Sequence, residues 1–360
     1  MGVWNALRSS GMTFQAVSGT SVGALNGSLI VTDSFHQAQQ IWLSMTYDRV
    51  MDVDPVFFES FSKRDFSNLT LKQTGSFLWE TLKTRGFDIT PLRRTIEQYV
   101  DEDAIRKSPI DFYIITCSLD DFTEKEIHAQ ELKDGELVDM LLASSYLPAF
   151  RNEKLGGKRY LDGGFMDLSP IHILVENHHK NIIEIGCNAA GFYRPVILPE
   201  DTHVYTITPT RSVGKTLEFS PAQSAQNLKT GYFDGLRFLN GLKGRLYYID
   251  QQMDEQEAYA LLLSLIRTYS KSSGQSYTWR TINEKVLPRL ASRTKSGDAD
   301  YYQLLLALME TAADEAGVDP FKIRTESELL DELFLHYPPA DGRLPKALQS
   351  PLSKWLGGAL

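Results

Sequence analysis

The amino-acid sequence predicts an α/β protein in which helices flank a sheet, followed by a helical C-terminal region. Strand-like runs at positions 14–18, 112–117 and 182–187 alternate with longer helical stretches, a pattern typical of α/β folds. From about residue 250 the apolar residues recur instead with helical spacing. We therefore expect a sheet-containing domain at 1–240 and a helical region at 241–360.

The first strand-like run leads into a sequence that can hold a nucleophile. Residues 17–26 read V-S-G-T-S-V-G-A-L-N, which places a G-x-S-x-G pentapeptide between this run and a helix-like segment. In a nucleophile elbow the serine occupies a strained strand-to-helix turn, and glycines two residues to each side remove Cβ atoms that would otherwise clash. Ser21 is therefore the candidate nucleophile, with Gly19 and Gly23 as its motif glycines.

The two cysteines and an aromatic-rich segment indicate no catalytic chemistry. Cys117 and Cys187 end the second and third strand-like runs, where cysteine behaves as a small hydrophobe, so we expect two reduced, buried thiols. A mixed segment between positions 46 and 107 either caps the site or packs into the core. Its marker residues are Pro55, Phe57, Phe58, Phe61, Phe66, Phe77, Leu78 and Trp79.

An acidic residue and two glycines close a short apolar run at Tyr160-Leu161-Asp162-Gly163-Gly164-Phe165. A serine hydroxyl needs a neighbouring proton acceptor, and a carboxylate can serve without an imidazole when burial raises its basicity. Asp162 is thus the candidate base, and Gly163 and Gly164 would let the backbone pass close to Ser21. The alternative is an ordinary turn, since Asp-Gly is a common turn signal between strands.

The C-terminal region shows two apolar stripes with the spacing i, i+3, i+4, i+7. They are Tyr259, Leu262, Leu263 and Ile266, and Tyr302, Leu305, Leu306 and Met309. Thr325 and Glu328 form a capping-box pattern before a third apolar helix, which Pro338 and Pro339 would end. No residue here suggests chemistry, so we expect these helices to pack on the first domain or on a protein partner.

Composition narrows the class of protein. The chain has 360 residues, 42% of them hydrophobic, enough for at least one sizeable core. Its net charge of −9 gives no overall field that would attract nucleic acid or anionic lipid, so any membrane contact must be local. The sequence opens without a charged-then-apolar signal peptide, and its apolar runs are far shorter than a bilayer span, so a cytoplasmic location is expected.

Taken together, the motifs resemble the patatin-like phospholipase family, whose members pair a G-x-S-x-G serine with the aspartate of a D-G-G or D-G-A turn. Residues 143–150 look like the family's A-S-x-x-x-P stretch, and Ser169-Pro170-Ile171 resembles the step after the aspartate. Residues 207–220 and 231–234 look like a tail that many bacterial members share. The resemblance implies a three-layer fold with a mostly parallel central sheet.

The same resemblance implies a lipid acyl hydrolase of the phospholipase A or lysophospholipase kind. Ser21 would attack an ester carbonyl, Asp162 would accept its proton, and an acyl-enzyme would form without a metal or other cofactor. The expected partner is a lipid or phospholipid substrate, met at a membrane surface through transient contact.

One departure from the family concerns the oxyanion hole. Family members begin with a strand and a G-G-G-x-x-G loop whose amides contribute to that hole, and this sequence shows no such loop. Residues 2–8 resemble the helix that follows the loop, so we expect the domain to be N-terminally incomplete, with the strand and the loop before Met1. The N–H of Val22 is then the oxyanion donor that can be named.

Two other functions compete with this hypothesis. A Ser-His-Asp hydrolase or acyltransferase would use His172 or His203 as the base, because the order Ser, Asp, His along the chain permits it. A catalytically impaired patatin-like protein, either a remnant or a lipid- or protein-binding module, would follow from the missing loop. His178 and His179 near Glu176 could hold a metal but are more typical of a solvated helix end.

Overall fold

The computed structural model describes residues 1–52, 86–148, 150–151, 153–187, 189, 191–215, 218–274, 276–294, 300–336, 348–350 and 352. The chain divides into two compact units, Met1–Gly235 and Leu236–Leu360. Of the mixed segment at 46–107, interpreted from the sequence as either a cap or part of the core, the marker residues from Pro55 to Trp79 lie outside the described residues, and so do Pro338 and Pro339.

The first unit alternates strands and helices, which confirms the predicted α/β class. Its strands are β1 (Ala16–Thr20), β2 (Asp111–Ser118), β3 (Thr123–His128), β4 (Tyr160–Asp162), β5 (Asn181–Ile185) and β6 (His203–Ile207). The α-helices among its described residues are α1 (Gly2–Ser9), α2 (Val22–Ile30), α3 (Phe35–Leu43), α4 (Thr90–Tyr99), α5 (Glu102–Lys107), α6 (Leu137–Ser144), α7 (Ile171–Glu176) and α8 (Pro221–Asn240). The boundary between the units lies within α8.

β2 is the strand around which the site is organised. β1 pairs with it in parallel at 111–115, whereas β3 pairs with it antiparallel at 113–118 and β4 antiparallel at 116–118. Since β3 occupies one edge of β2 beside both stretches, β1 and β4 share the opposite edge and follow one another along it. β5 and β6 form a separate parallel pair, so the unit combines parallel and antiparallel pairing.

Burial of apolar side chains holds the helices of this unit on the sheet. Phe112 and Ile114 of β2 are fully buried and belong to one cluster with Trp4 of α1 and Leu141 of α6. α2 comes especially close, because a Cβ at Gly27 would lie 2.6 Å from the Phe112 ring. Removing this apolar surface from water is the main favourable term in such packing.

The second unit is mainly helical, as the apolar stripes predicted. It contains α9 (Glu255–Ser272), α10 (Trp279–Thr281), α11 (Leu287–Arg293), α12 (Tyr301–Glu315) and α13 (Glu326–His336), with a short parallel pair of β7 (Tyr248–Ile249) and β8 (Ile323–Arg324). Leu262 on α9 and Met309 on α12 are fully buried in its core. Thr325 Oγ1 accepts the N–H of Glu328, whose carboxylate accepts the N–H of Thr325, so the predicted capping box is confirmed.

The two cysteines differ in environment. Cys117 lies within β2 and is buried, as expected. The prediction that Cys187 is buried is wrong, because β5 ends at Ile185 and the chain leaves the core before it reaches this residue, which is exposed. Of the helices in the described part of the chain, none combines the length and the apolar composition of a membrane-spanning segment.

Candidate active site

The strand arrangement brings the two candidate catalytic residues together. The last residue of β1, Thr20, pairs with Ile115 of β2, and the last residue of β4, Asp162, pairs with the next residue, Thr116. Because β1 and β4 run in opposite directions along the same edge of β2, their C-terminal ends meet. Ser21, one residue beyond β1, thus lies beside Asp162, although 141 positions separate them in sequence.

Ser21 occupies a strained backbone conformation. Its φ of 54° and ψ of −124° lie outside the regions that residues with a Cβ ordinarily adopt. The residue is at the junction of β1 with α2, which is the geometry of a nucleophile elbow. Its N–H donates to Ser144 Oγ at 2.8 Å, and that hydroxyl donates to the Ile115 carbonyl at 2.6 Å. A fully buried serine therefore anchors the elbow to the sheet.

The two motif glycines have different roles. A Cβ at Gly19 would lie 2.5 Å from the carbonyl carbon and oxygen of Gly23, so the absence of a side chain at Gly19 lets β1 and the first turn of α2 approach each other. A Cβ at Gly23 would meet no atom within 4 Å. The expectation that both glycines relieve a clash is thus correct for Gly19 and wrong for Gly23, which faces open space beside Ser21.

Asp162 is a buried carboxylate with two donors. Ser21 Oγ donates to its Oδ2 at 2.5 Å, and the Gly164 N–H donates to its Oδ1 at 2.8 Å. Burial raises the pKa of the Asp162 carboxyl to about 6, although both hydrogen bonds act in the opposite direction. The group is thus more basic than an ordinary aspartate and still ionised at neutral pH, as a general base must be.

The glycines after Asp162 allow close approach of the chain to the elbow. A Cβ at Gly163 would lie 2.4 Å from the Ile115 carbonyl oxygen and 2.9 Å from the Thr20 methyl carbon. At Gly164 a Cβ would lie 2.9 Å from Leu168 and 3.1 Å from the Asp162 carboxylate. The chain therefore forms a short 3₁₀ turn, Gly163–Phe165, directly against β1 and β2.

Val22 is the first residue of α2, a helix of nine residues. The first N–H groups of a helix have no intrahelical acceptor, and the helix dipole places partial positive charge there. The Val22 N–H is therefore a suitable donor to an oxyanion that forms on an ester bonded to Ser21. Its side chain is 43% exposed, so the elbow is open to a substrate on this side.

The stretch from Ala143 to Phe150 contacts both candidate residues. Ser144 accepts the Ser21 N–H, and the Tyr146 carbonyl accepts the Asp162 N–H at 2.8 Å. The family resemblance includes this A-S-x-x-x-P stretch but assigns it no role. Its function in the structure is to hold the backbone at both Ser21 and Asp162.

The histidines considered as alternative bases have other environments. His172 Nδ1 lies 3.0 Å from Asp167 Oδ2, and its Nε2 lies 3.1 Å from Glu126 Oε1. His203 is an exposed residue at the start of β6. Neither geometry supports a histidine that relays a proton from Ser21, whose hydroxyl bonds directly to Asp162.

Among the described residues, a metal-like grouping of side chains involves Glu124, Glu126 and His172, whose ligand atoms lie within 4.8 Å of one another. The His178–His179 pair considered from the sequence does not belong to it. Arg194 Nη1 lies 3.0 Å from Glu124 Oε1 and 3.5 Å from Glu126 Oε1, so a guanidinium already supplies positive charge to these carboxylates. The grouping is an ion-pair cluster that sequence reasoning missed.

Comparison with protein families matched residues 1–175 to the patatin-like phospholipase family. This range contains β1 to β4, all but the last residue of α7, and both candidate catalytic residues. The tail at 207–234 that also looked similar lies outside the matched residues. A search of curated proteins found no match.

Proposed function

Because residues 1–175 belong to the patatin-like phospholipase family, we propose that this protein is a lipid acyl hydrolase that uses Ser21 and Asp162 as a catalytic dyad. The observation that carries the proposal is the 2.5 Å hydrogen bond from Ser21 Oγ to the buried Asp162 carboxylate. A serine on a strained elbow, bonded to a carboxylate of raised basicity, is the arrangement that nucleophilic ester cleavage needs.

The chemistry follows from the placement of these groups. Ser21 Oγ attacks the carbonyl carbon of a fatty-acyl ester while Asp162 accepts the hydroxyl proton, and the Val22 N–H donates to the carbonyl oxygen as it gains negative charge. The tetrahedral intermediate then breaks its bond to the alcohol oxygen, which receives the proton from Asp162. A water molecule, deprotonated by Asp162, then attacks the acyl carbonyl. The bond from the acyl carbon to Ser21 Oγ breaks, Asp162 returns the proton to Ser21 Oγ, and the fatty acid leaves.

The substrate in this proposal is a phospholipid or lysophospholipid that the protein meets at a membrane surface. The open elbow at Val22 and Gly23 provides room for an ester carbonyl beside Ser21. We assign the hydrolase activity to residues 1–240 and no catalytic residue to 241–360, whose helices offer a surface for a protein partner.

The test compares Ser21→Ala and Asp162→Asn with matched controls in the full chain. Ser292 and Asp120 are exposed, so Ser292→Ala and Asp120→Asn control for loss of a hydroxyl and of a carboxylate. We expect hydrolysis of phosphatidylcholine vesicles and of a soluble short-chain ester to fall by about 10³-fold or more in the two dyad variants alone. Mass spectrometry should detect an acyl adduct on the peptide that contains Ser21.

Full ester hydrolysis by Ser21→Ala would refute the proposal. A histidine triad makes a different prediction, because His172→Gln or His203→Gln would then be as inactive as Ser21→Ala. The dyad predicts that both histidine variants retain activity well above the Ser21→Ala background. Wild-type protein that binds the vesicles but cleaves no ester would instead indicate a binding module.

A further inference from the structure

His172 is a buried histidine whose two ring nitrogens both face carboxylates. The residue is 2% exposed. Its Nδ1 lies 3.0 Å from Asp167 Oδ2, and its Nε2 lies 3.1 Å from Glu126 Oε1 and 3.4 Å from Glu124 Oε1. Asp167 is fully buried, and the two glutamates come from β3. The ring therefore connects the chain after Asp162 to the outer strand of the sheet.

This geometry requires the imidazolium form of the ring. An ionised carboxylate can only accept a hydrogen bond, and a neutral imidazole has one N–H, so only the doubly protonated ring can donate to Asp167 and Glu126 together. Burial by itself lowers the pKa of His172, but the hydrogen bonds to Asp167 and Glu126 outweigh it and raise the pKa above the ordinary histidine value. The charged groups that face the ring are Asp167, Glu124, Glu126 and Arg194.

Asp167 also forms hydrogen bonds through its backbone to the residues next to Ser21 and Asp162. Its carbonyl accepts Thr20 Oγ1 at 2.9 Å, and Thr20 immediately precedes Ser21. Its N–H donates to the Gly163 carbonyl at 2.9 Å, and Gly163 immediately follows Asp162. Displacement of Asp167 would therefore move the backbone on each side of the Ser21–Asp162 hydrogen bond.

We propose that His172, as an imidazolium, is a positioning residue that fastens residues 163–169 to β3 and so keeps Asp162 against Ser21. This inference rests on the proposed function. Its consequence is an upper pH limit to activity that is independent of the ionisation of Asp162. When the ring loses its second proton, it can donate to Asp167 or to Glu126 but not to both, so it no longer bridges residues 163–169 and β3.

The sign of the pH effect follows from the raised pKa. In the unfolded chain the pKa of this histidine is about 6.5, and in the folded protein the ring keeps its second proton to higher pH. The stabilisation is therefore fully present below the unfolded value and is lost as the pH rises through the folded value. Activity should fall over the same alkaline range as the loop loosens.

Asp167→Asn separates the charge of the ring from its contacts. The asparagine Oδ1 can still accept the Ser169 N–H, as Asp167 Oδ1 does at 3.0 Å. Its Nδ2 can donate to His172 Nδ1, so that a neutral ring satisfies both neighbours by donating from Nε2 to Glu126. The variant thus keeps the geometry without the second proton.

We would measure kcat and KM on a soluble ester from acid to alkaline pH, and the Tm of the same proteins over the same range. Wild type should lose kcat above the folded pKa by about tenfold per pH unit with little change in KM, and its Tm should fall in parallel. In Asp167→Asn both alkaline losses should disappear. His172→Gln should lower kcat about 10-fold to 100-fold below the folded pKa of His172, with the difference from wild type shrinking at alkaline pH, whereas the exposed control His203→Gln should behave as wild type.

The inference would be overturned if kcat and Tm fell at the same alkaline pH and by the same amount in wild type and Asp167→Asn. It would also be overturned if wild type lost neither kcat nor Tm at alkaline pH. If wild type hydrolyses no ester, the proposed function fails while the Tm comparison still tests the anchoring. A Tm that falls with pH in wild type and not in Asp167→Asn would then support the role of His172 in fastening the loop.

Discussion

The hydroxyl of Ser144 is the contact whose removal tests the architecture of the site most directly. It accepts the Ser21 N–H at 2.8 Å and donates to the Ile115 carbonyl at 2.6 Å, and the residue is fully buried. Ser144→Ala removes both hydrogen bonds without adding volume. The strained elbow at Ser21 then loses the side chain that holds its N–H in place.

The two hydrogen bonds of Ser144 determine how far Ser144→Ala should lower the free energy of unfolding. A buried N–H left without an acceptor costs about 1 to 3 kcal/mol, and loss of a hydrogen bond to a carbonyl about 0.5 to 1.5 kcal/mol. We therefore expect the free energy of unfolding to fall by about 1.5 to 4.5 kcal/mol, a large share of the roughly 5 to 15 kcal/mol typical of a folded protein. The activity should fall through kcat, because the nucleophile moves while the open side of the site is unchanged.

The neighbouring residue provides a matched control. Ser145 is also buried, but its Oγ has no hydrogen-bond partner among the described residues. Ser145→Ala removes an unsatisfied hydroxyl, so its free energy of unfolding should stay within about 0.5 kcal/mol of wild type or increase.

Urea denaturation followed by circular dichroism, with kcat and KM on a soluble ester, measures both effects. Equal destabilisation by Ser144→Ala and Ser145→Ala would contradict this expectation. It would show that the two hydrogen bonds of Ser144 add nothing to the free energy of unfolding. Unchanged kcat in a destabilised Ser144→Ala would show that Ser21 keeps its position without this contact.

The remaining predictions concern the motif glycines and the base. Gly19→Ala should destabilise the protein by about 2 kcal/mol or more, because its Cβ would lie 2.5 Å from the Gly23 backbone. Gly23→Ala should retain the wild-type Tm, because its Cβ would meet no atom within 4 Å. Equal Tm losses in the two variants would contradict this prediction. The value of kcat/KM should rise with pH through about 6 and stay level until the alkaline loss assigned to His172, because Asp162 must lose its proton to act as a base and burial raises its pKa to about 6. Asp120→Asn should leave this acid limb in place, and an acid limb near the ordinary aspartate value would show that Asp162 is not the titrating base.

Much of the fold and of the candidate site was predictable because it depends on local patterns. The alternation of strands and helices, the helical stripes around Leu262 and Met309 and the Thr325 capping box each follow from residues close in sequence. The elbow at Ser21 and the turn after Asp162 have short motifs of their own. Cys187 was predicted wrongly because an apolar run shows where a strand lies but not the residue at which it leaves the core.

The contacts that position the site could not be read from the sequence. Asp167 and His172 flank the Ser169-Pro170-Ile171 step but belong to no motif themselves, and their partners Thr20 and Glu126 lie 147 and 46 positions away. Ser144 and Ser145 are adjacent residues of the same type, yet of the two only Ser144 accepts the Ser21 N–H. Such roles depend on side-chain direction and on pairing between distant strands, which local spacing does not specify.

Local patterns in the sequence specify the α/β class, the family resemblance and the two candidate catalytic residues, because a nucleophile elbow and an Asp-Gly-Gly turn impose their residue types locally. Only the tertiary structure decided that these groups meet, since β1 and β4 run in opposite directions along one edge of β2 and end at adjacent residues, Ile115 and Thr116. Burial at that junction also raises the pKa of Asp162 to about 6, and burial is a property of the folded chain alone.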